Sequence, residues 1–175
     1  ERQRSVVDQL TLTNRELQEQ YEGTRQWADI TDEVLSVVVD GGGLDKLAHI
    51  VARRTGADTA FLTADLETMA GSHEPPWFKN YLPAIQQAIA KSPAQPNSSA
   101  VTLLADHRWL SLRSIVAGGD RVGWLCGLSH EQPTHLHDIA IGQAAMACAL
   151  HHLESRAAAR ARADALGCIL WDLLD

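Results

Sequence analysis

The chain is predicted to be an α+β domain, with a central strand pair framed by long helices at both ends. Three observations carry that prediction. Residues 114–128 form a glycine-punctuated pair of apolar runs, and Gly118-Gly119-Asp120 between them marks a hairpin, because glycine supplies the positive φ of a tight turn. Apolar residues at helical spacing fill the first forty residues and recur from Pro133 onward. The 45% apolar and 21% charged fractions over 175 residues are those of an ordinary globular chain, long enough for a sizeable core.

Residues 3–25 read as a helix, with Val7, Asn14 and Tyr21 at one heptad position and Leu10, Leu17 and Thr24 at the complementary one. A single Asn inside such a seam fixes register and partner number, so a parallel coiled-coil dimer is expected here. The alternative is an exposed amphipathic helix lying on its own domain. Gly23 is expected to loosen the helix, which resumes through Trp27, Ile30, Val34, Leu35 and Val38. Asp40-Gly41-Gly42-Gly43 ends it, since three glycines do not propagate a helix. Leu44, Leu47, Ile50 and Val51 mark a short helix that stops near Gly56.

A strand is predicted over 57–64, a turn at Asp65-Leu66-Glu67 and a second strand over 68–71. Pro75-Pro76 breaks the chain. Leu82, Ile85 and Ile89 then space a helix that Asn80 would cap, with Pro83 in its first turn. A polar, proline-containing loop over 92–99 leads into strands at about 100–105, 108–117 and 121–129. Thr134 is a candidate N-cap for one long helix, along which Leu136, Ile139, Gln143, Met146, Leu150 and Leu153 follow a 3-4 pattern. The alanine- and arginine-rich stretch 156–162 reads as a solvated or dimer-flanking arm. Ile169, Leu170, Trp171, Leu173 and Leu174 form an apolar end that calls for a packing partner. Three units result: a coiled-coil helix over 1–27, a sensory domain over 28–155, and an output helix or linker over 156–175.

A formal net charge of −7 argues against this chain gripping a phosphate backbone. No apolar run approaches the length of a membrane span, and no signal peptide is read. Cys126, Cys148 and Cys168 are odd in number and widely spaced, which fits reduced thiols in a cytoplasmic protein, each buried as a small hydrophobe. The opening residues Glu1-Arg2-Gln3-Arg4 read like the middle of a helix, so the chain is expected to be a piece of a longer protein.

The element order resembles a GAF domain. The resemblance is carried by Leu44-Asp45-Lys46-Leu47-Ala48 ahead of Arg54-Thr55-Gly56-Ala57-Asp58, by Phe61-Leu62-Thr63-Ala64-Asp65, and by Ile115 to Leu125. The arginine-rich helix running into Asp172-Leu173-Leu174-Asp175 is similar to the sensory domain of PucR/CdaR-type bacterial transcription regulators. The resemblance implies a GAF-like (PAS-like) six-stranded, mainly antiparallel sheet, although five strands are read from the sequence. It also implies a homodimer, a small-molecule effector, and a helix-turn-helix domain beyond Asp175 that alone would touch DNA.

By the same analogy a ligand pocket lies between the sheet and a lid spanning 75–89. Phe61, Trp77, Phe78, Tyr81, His107, Trp109, Arg113 and Trp124 are its candidate lining, with Arg108 a further polar group. Aromatic walls with a few polar groups are what small-molecule sites look like, and the competing reading is that these residues fill a core. Candidate dimer residues are Val7, Leu10, Asn14, Leu17, Tyr21, Leu150 and Leu153.

His135 and His137, like the adjacent His151 and His152, diverge on a helix and are expected on its surface, and no Cys/His spacing resembles a zinc site. Haem would need an axial ligand, for which nothing selects among His49, His73 and His107, so no cofactor is assigned. No nucleophile with a partner base is evident, and Gly41-Gly42-Gly43 lacks a phosphate loop's lysine. The expected function is a cytoplasmic, non-enzymatic regulatory domain that senses a small molecule and dimerises through its helices. A ligand-free dimerisation scaffold and the GAF module of a histidine kinase are the alternatives.

Overall fold

Five strands form one antiparallel sheet in the order β2-β1-β5-β4-β3. They are β1 (Asp58–Thr63), β2 (Thr68–Gly71), β3 (Ser99–Leu103), β4 (Trp109–Ala117) and β5 (Asp120–Ser129). Four α-helices surround the sheet: α1 (Arg2–Val39), α2 (Leu44–Thr55), α3 (Leu82–Lys91) and α4 (His135–Asp172), with a 3-10 turn over Trp77–Tyr81. This computed structural model describes the backbone of residues 2–73, 77–92 and 98–172, and the side chains of residues 18, 21–73, 77–92 and 98–165. Val7, Leu10, Asn14 and Leu17, with Cys168 and the apolar end at 169–174, lie outside the described side chains.

The β4–β5 hairpin centres the sheet. Ala117 pairs with Asp120 across Gly118 and Gly119, whose φ values of 65° and 92° make the two-residue turn that the sequence signals. β5 then pairs with β1 from Asp58↔Leu128 to Thr63↔Gly123. The other two hairpin turns carry no glycine. Leu66 and His107 occupy the left-handed region at φ 63° and 61°, each as the last residue of a three-residue loop. That conformation is costly for a residue with a Cβ, by about 1–3 kcal/mol. The flanking hydrogen bonds hold it, from Thr63 N to Glu67 O (2.8 Å) in one loop and from Leu104 N to Arg108 O (2.8 Å) in the other.

The strand period of two splits the side chains between two cores. On one face Phe61, Ile115 and Leu125 pack with Ile30 and Val34 of α1, Leu47 and Val51 of α2, and Ile141 and Cys148 of α4. On the other, Ala60, Leu62, Leu110, Leu112, Trp124 and Cys126 meet Phe78, Ile85 and Ala88.

Several expectations change. Among the described residues the sheet has five strands, not the six that the resemblance implied. Gly23 does not interrupt α1, which runs unbroken from Arg2 to Val39. Tyr81, not Asn80, occupies the N-cap position of α3 and makes no side-chain cap; Asn80 belongs to the 3-10 turn, while Pro83 does sit in the first helical turn. At the start of α4, Thr134 Oγ1 accepts a 3.4 Å bond from the His137 amide, the geometry of an N-cap.

α4 turns its small residues inward. Ala140, Ala144, Ala145, Ala147 and Cys148 are buried with Ile141, which lets the helix lie close to the sheet and to α1. Of the large members of its 3-4 pattern Leu136 packs against the core, whereas Met146, Leu150 and Leu153 are exposed by 60%, 43% and 41%. Residues spaced i, i+4 and i+7 form one continuous stripe. On α1, Tyr21, Leu35 and Val39 are likewise exposed.

Candidate functional site

Proline after the 3-10 turn makes the lid. Pro83 is tolerated where helix N–H groups lack partners anyway, so the chain passes from Trp77–Tyr81 straight into α3. Phe78 and Ile85 are driven onto the sheet and are 3% and 0% exposed. Trp77 stands edge-on to Phe78 with ring centroids 6.3 Å apart and leans on Tyr81 at 6.1 Å.

The lid is latched at its far end. Tyr81 Oη donates to Asp106 Oδ2 (2.8 Å), and Arg108 Nε donates to the same oxygen (3.0 Å). Arg108 Nη2 also donates to Tyr81 Oη, and its guanidinium lies 5.0 Å from the centre of the Tyr81 ring. The hydrogen bond from Tyr81, backed by Arg108, holds the Asp106 carboxyl below its ordinary range. Partial desolvation and the bond to Asp106 raise the Tyr81 phenol.

The eight candidate lining residues do not converge. Trp77, Phe78, Tyr81 and Trp124 lie on the lid side of the sheet, where Phe78 and Trp124 are buried as core. Phe61 is fully buried on the opposite face, among α1, α2 and α4. Arg113 also serves the opposite face: its guanidinium reaches Asp138 of α4 at 3.2 Å. Trp109 shares the parity of Ser111 and Arg113 and so points the same way. His107 is exposed at the tip of the β3–β4 turn.

Phe78, Ile85 and Ala88 pack onto the sheet, and among the described residues open space lies at its margin. A cleft of about 170 Å³ opens at β2, between Trp77 and Phe78 on one side and Asp45 of α2 on the other, with Met69, Thr68 and His73 completing it. The indole N–H of Trp77, one of the lining residues, is covered and has no hydrogen-bond acceptor among the described residues. A second cleft, about 300 Å³, lies between the end of α2 and the start of α4 and is lined largely by polar groups, including Ser129, His130, Glu131, Thr134 and His137.

Sequence reading missed one polar pair. His137 is 4% exposed, not on the helix surface, and its Nε2 lies 2.7 Å from Ser111 Oγ, which also donates to the Gly127 carbonyl at 3.3 Å. The partners are 26 residues apart on different elements, so no local motif announces them. Ser111 is itself 4% exposed, inside the sheet–helix interface, which denies a substrate access to its hydroxyl. Among the described residues no three His, Cys, Asp or Glu side chains converge as metal ligands. Cys126 and Cys148 are buried free thiols; burial pushes Cys126 up, and Cys148 up to about 12, so neither is a nucleophile at neutral pH. No described helix is long and apolar enough to cross a membrane.

Burial lowers the His137 pKa, with Asp138 opposing it. The unfolded chain then takes up this proton first, near pH 6.5, while the folded chain resists. Stability is therefore full above about pH 6.5 and falls as pH drops toward the lower folded-state value. The expected result in urea melts is a decline as pH falls below about 6.5 that is shallower in His137→Gln. An identical decline in the variant would remove His137 as its cause.

No family model matches the chain, and no curated protein matches it. Among solved structures, the cofactor-binding GAF domain of the nutrient sensor CodY from Clostridium difficile is similar, at 14% identity and a TM-score of 0.44, over 76% of this chain and 97% of that one.

Proposed function

We propose that this chain is a GAF-type regulatory domain that senses a small molecule and dimerises through its long helices. The observation that carries the reading is the segregation along α4, with alanines against the sheet and Met146, Leu150 and Leu153 outside. A solvated output helix has no use for such a stripe, whereas a seam against a second copy buries it. Tyr21, exposed on α1, is assigned to the same interface with Val7, Leu10, Asn14 and Leu17, which share its heptad pattern in sequence. Residues 1–27, 28–155 and 156–175 then act as dimer helix, sensor and output helix.

In this account effector binding shifts the balance between two packings of the helix pairs, which requires different affinity for the two. The sequence likeness to PucR/CdaR-type sensory domains points to a cytoplasmic bacterial transcription regulator, whose DNA contacts belong to a downstream domain. The reading is non-enzymatic. A second reading is a dimerisation scaffold without a ligand, which the packing of Phe78, Ile85 and Ala88 onto the sheet supports.

Native mass spectrometry of the purified chain, beside the same sample denatured, tests the proposal. A dimer mass with a small adduct that is lost on denaturation is the expected result. A dimer without adduct moves the reading to the scaffold. A monomer overturns both.

A further inference from the structure

We infer that the cleft at the β2 edge is the effector site, and that it takes a small primary amine with an apolar, preferably aromatic, body and an oxygen able to accept a hydrogen bond. The inference rests on the regulatory reading and gives it a ligand chemistry. Each part of the ligand answers a group on the cleft wall.

The aromatic and apolar part answers Trp77, Phe78 and Met69. Flat aromatic walls favour a flat body, and a cation beside an indole gains further from the ring's negative face. The amine answers Asp45. This carboxylate is exposed at the first turn of α2 and makes no hydrogen bond or ion pair among the described residues, so it is free to take an ammonium group. His73 on the same wall is already engaged with Asp58 at 3.0 Å and with Ser72 at 3.1 Å, which leaves Asp45 the unspent charge.

The acceptor oxygen answers Trp77. Its indole N–H is covered by protein and unpaired among the described residues, and a buried unpaired donor is a standing cost to the free state. A ligand oxygen to which the indole can turn relieves that cost. The turn would move a residue that leans on both Phe78 and Tyr81, so occupancy is communicated to the lid and to its Asp106–Arg108 latch. A cleft of about 170 Å³ restricts the ligand to a small molecule.

Indole NMR on the intact chain tests the inference. The chain has five tryptophans, and the indole N–H resonance missing from Trp77→Phe identifies Trp77. Three matched probes separate the chemistry: phenylalaninol carries amine, ring and hydroxyl, phenethylamine lacks the hydroxyl, and phenethyl alcohol lacks the amine. Phenylalaninol is expected to shift the Trp77 resonance saturably. Phenethylamine and phenethyl alcohol should each bind about tenfold more weakly, and Asp45→Asn should weaken phenylalaninol by about the same factor. Asp45 is exposed, so this variant keeps the fold even if Trp77→Phe disturbs the lid.

No saturable shift of the Trp77 resonance overturns the inference, as does equal affinity in Asp45→Asn. Sedimentation of the same samples separates the two levels: a dimer whose Trp77 ignores all three probes defeats this site and leaves the regulatory dimer standing. A monomer defeats the regulatory reading whatever Trp77 does.

Discussion

Phe61→Ala is expected to cost about 3–5 kcal/mol of folding stability, the range for deleting a fully buried aromatic side chain. Phe61 is 0% exposed in the middle of β1, where it sits against the helices of the larger core. Truncation there leaves a void that alanines along α4 are too short to fill, and collapse would require α1, α2 and α4 to move together. Urea denaturation followed by circular dichroism measures the loss. The outcome also settles a role, because a residue lining a ligand pocket can be truncated with little change in stability. A loss below about 1 kcal/mol would mean that Phe61 is not the core residue described here.

Gly123→Ala is the second large effect. A Cβ at this position would lie 2.2 Å from the Leu62 carbonyl oxygen and 3.3 Å from its carbon. Both atoms belong to backbone inside the β1–β5 ladder, so neither can rotate away as a flexible side chain would. Relief requires β1 and β5 to separate or β5 to twist, at a cost of about 3 kcal/mol. The melting temperature should fall by roughly 6–12 °C. Gly23→Ala is the matched control: a Cβ there meets nothing within 4 Å inside an unbroken helix, and its melting temperature should not fall. Equal behaviour of the two variants would show that β1 does not pass Gly123 as closely as described.

The hairpin at Gly118-Gly119 was legible in the sequence because a two-residue turn with two positive φ values has almost no other chemistry available to it. The long α4 was legible from its helical spacing and from Thr134. The side of α4 that faces inward was not. Large apolar residues at 3-4 spacing mark a buried stripe in most helices, but here alanines make the close contact and the stripe lies outside. The pocket failed for a related reason. Alternation shows that Trp109 and Arg113 share a face and Leu110 and Leu112 the other, yet nothing local says which face meets the lid. Phe61 went to the helices because its neighbours Ala60 and Leu62 took the lid side. Trp77 and Phe78 entered the expected lining by analogy with the lid of a GAF domain; Asp45, Met69 and His73, which line the cleft beside them, did not, because the cleft joins α2 to the β2 edge across some thirty residues of chain.

Sedimentation equilibrium of the chain, beside a variant carrying Leu150→Glu and Leu153→Glu, tests the claim on which the functional account turns. The account predicts a species of twice the 19.1 kDa chain mass for the wild type. The variant should have a dissociation constant raised at least about a hundredfold, since it replaces two apolar seam residues in each copy with like charges. Its circular dichroism spectrum should not change, because both positions are exposed in the single chain. A wild-type monomer, or a variant that dimerises as tightly as the wild type, would contradict the account.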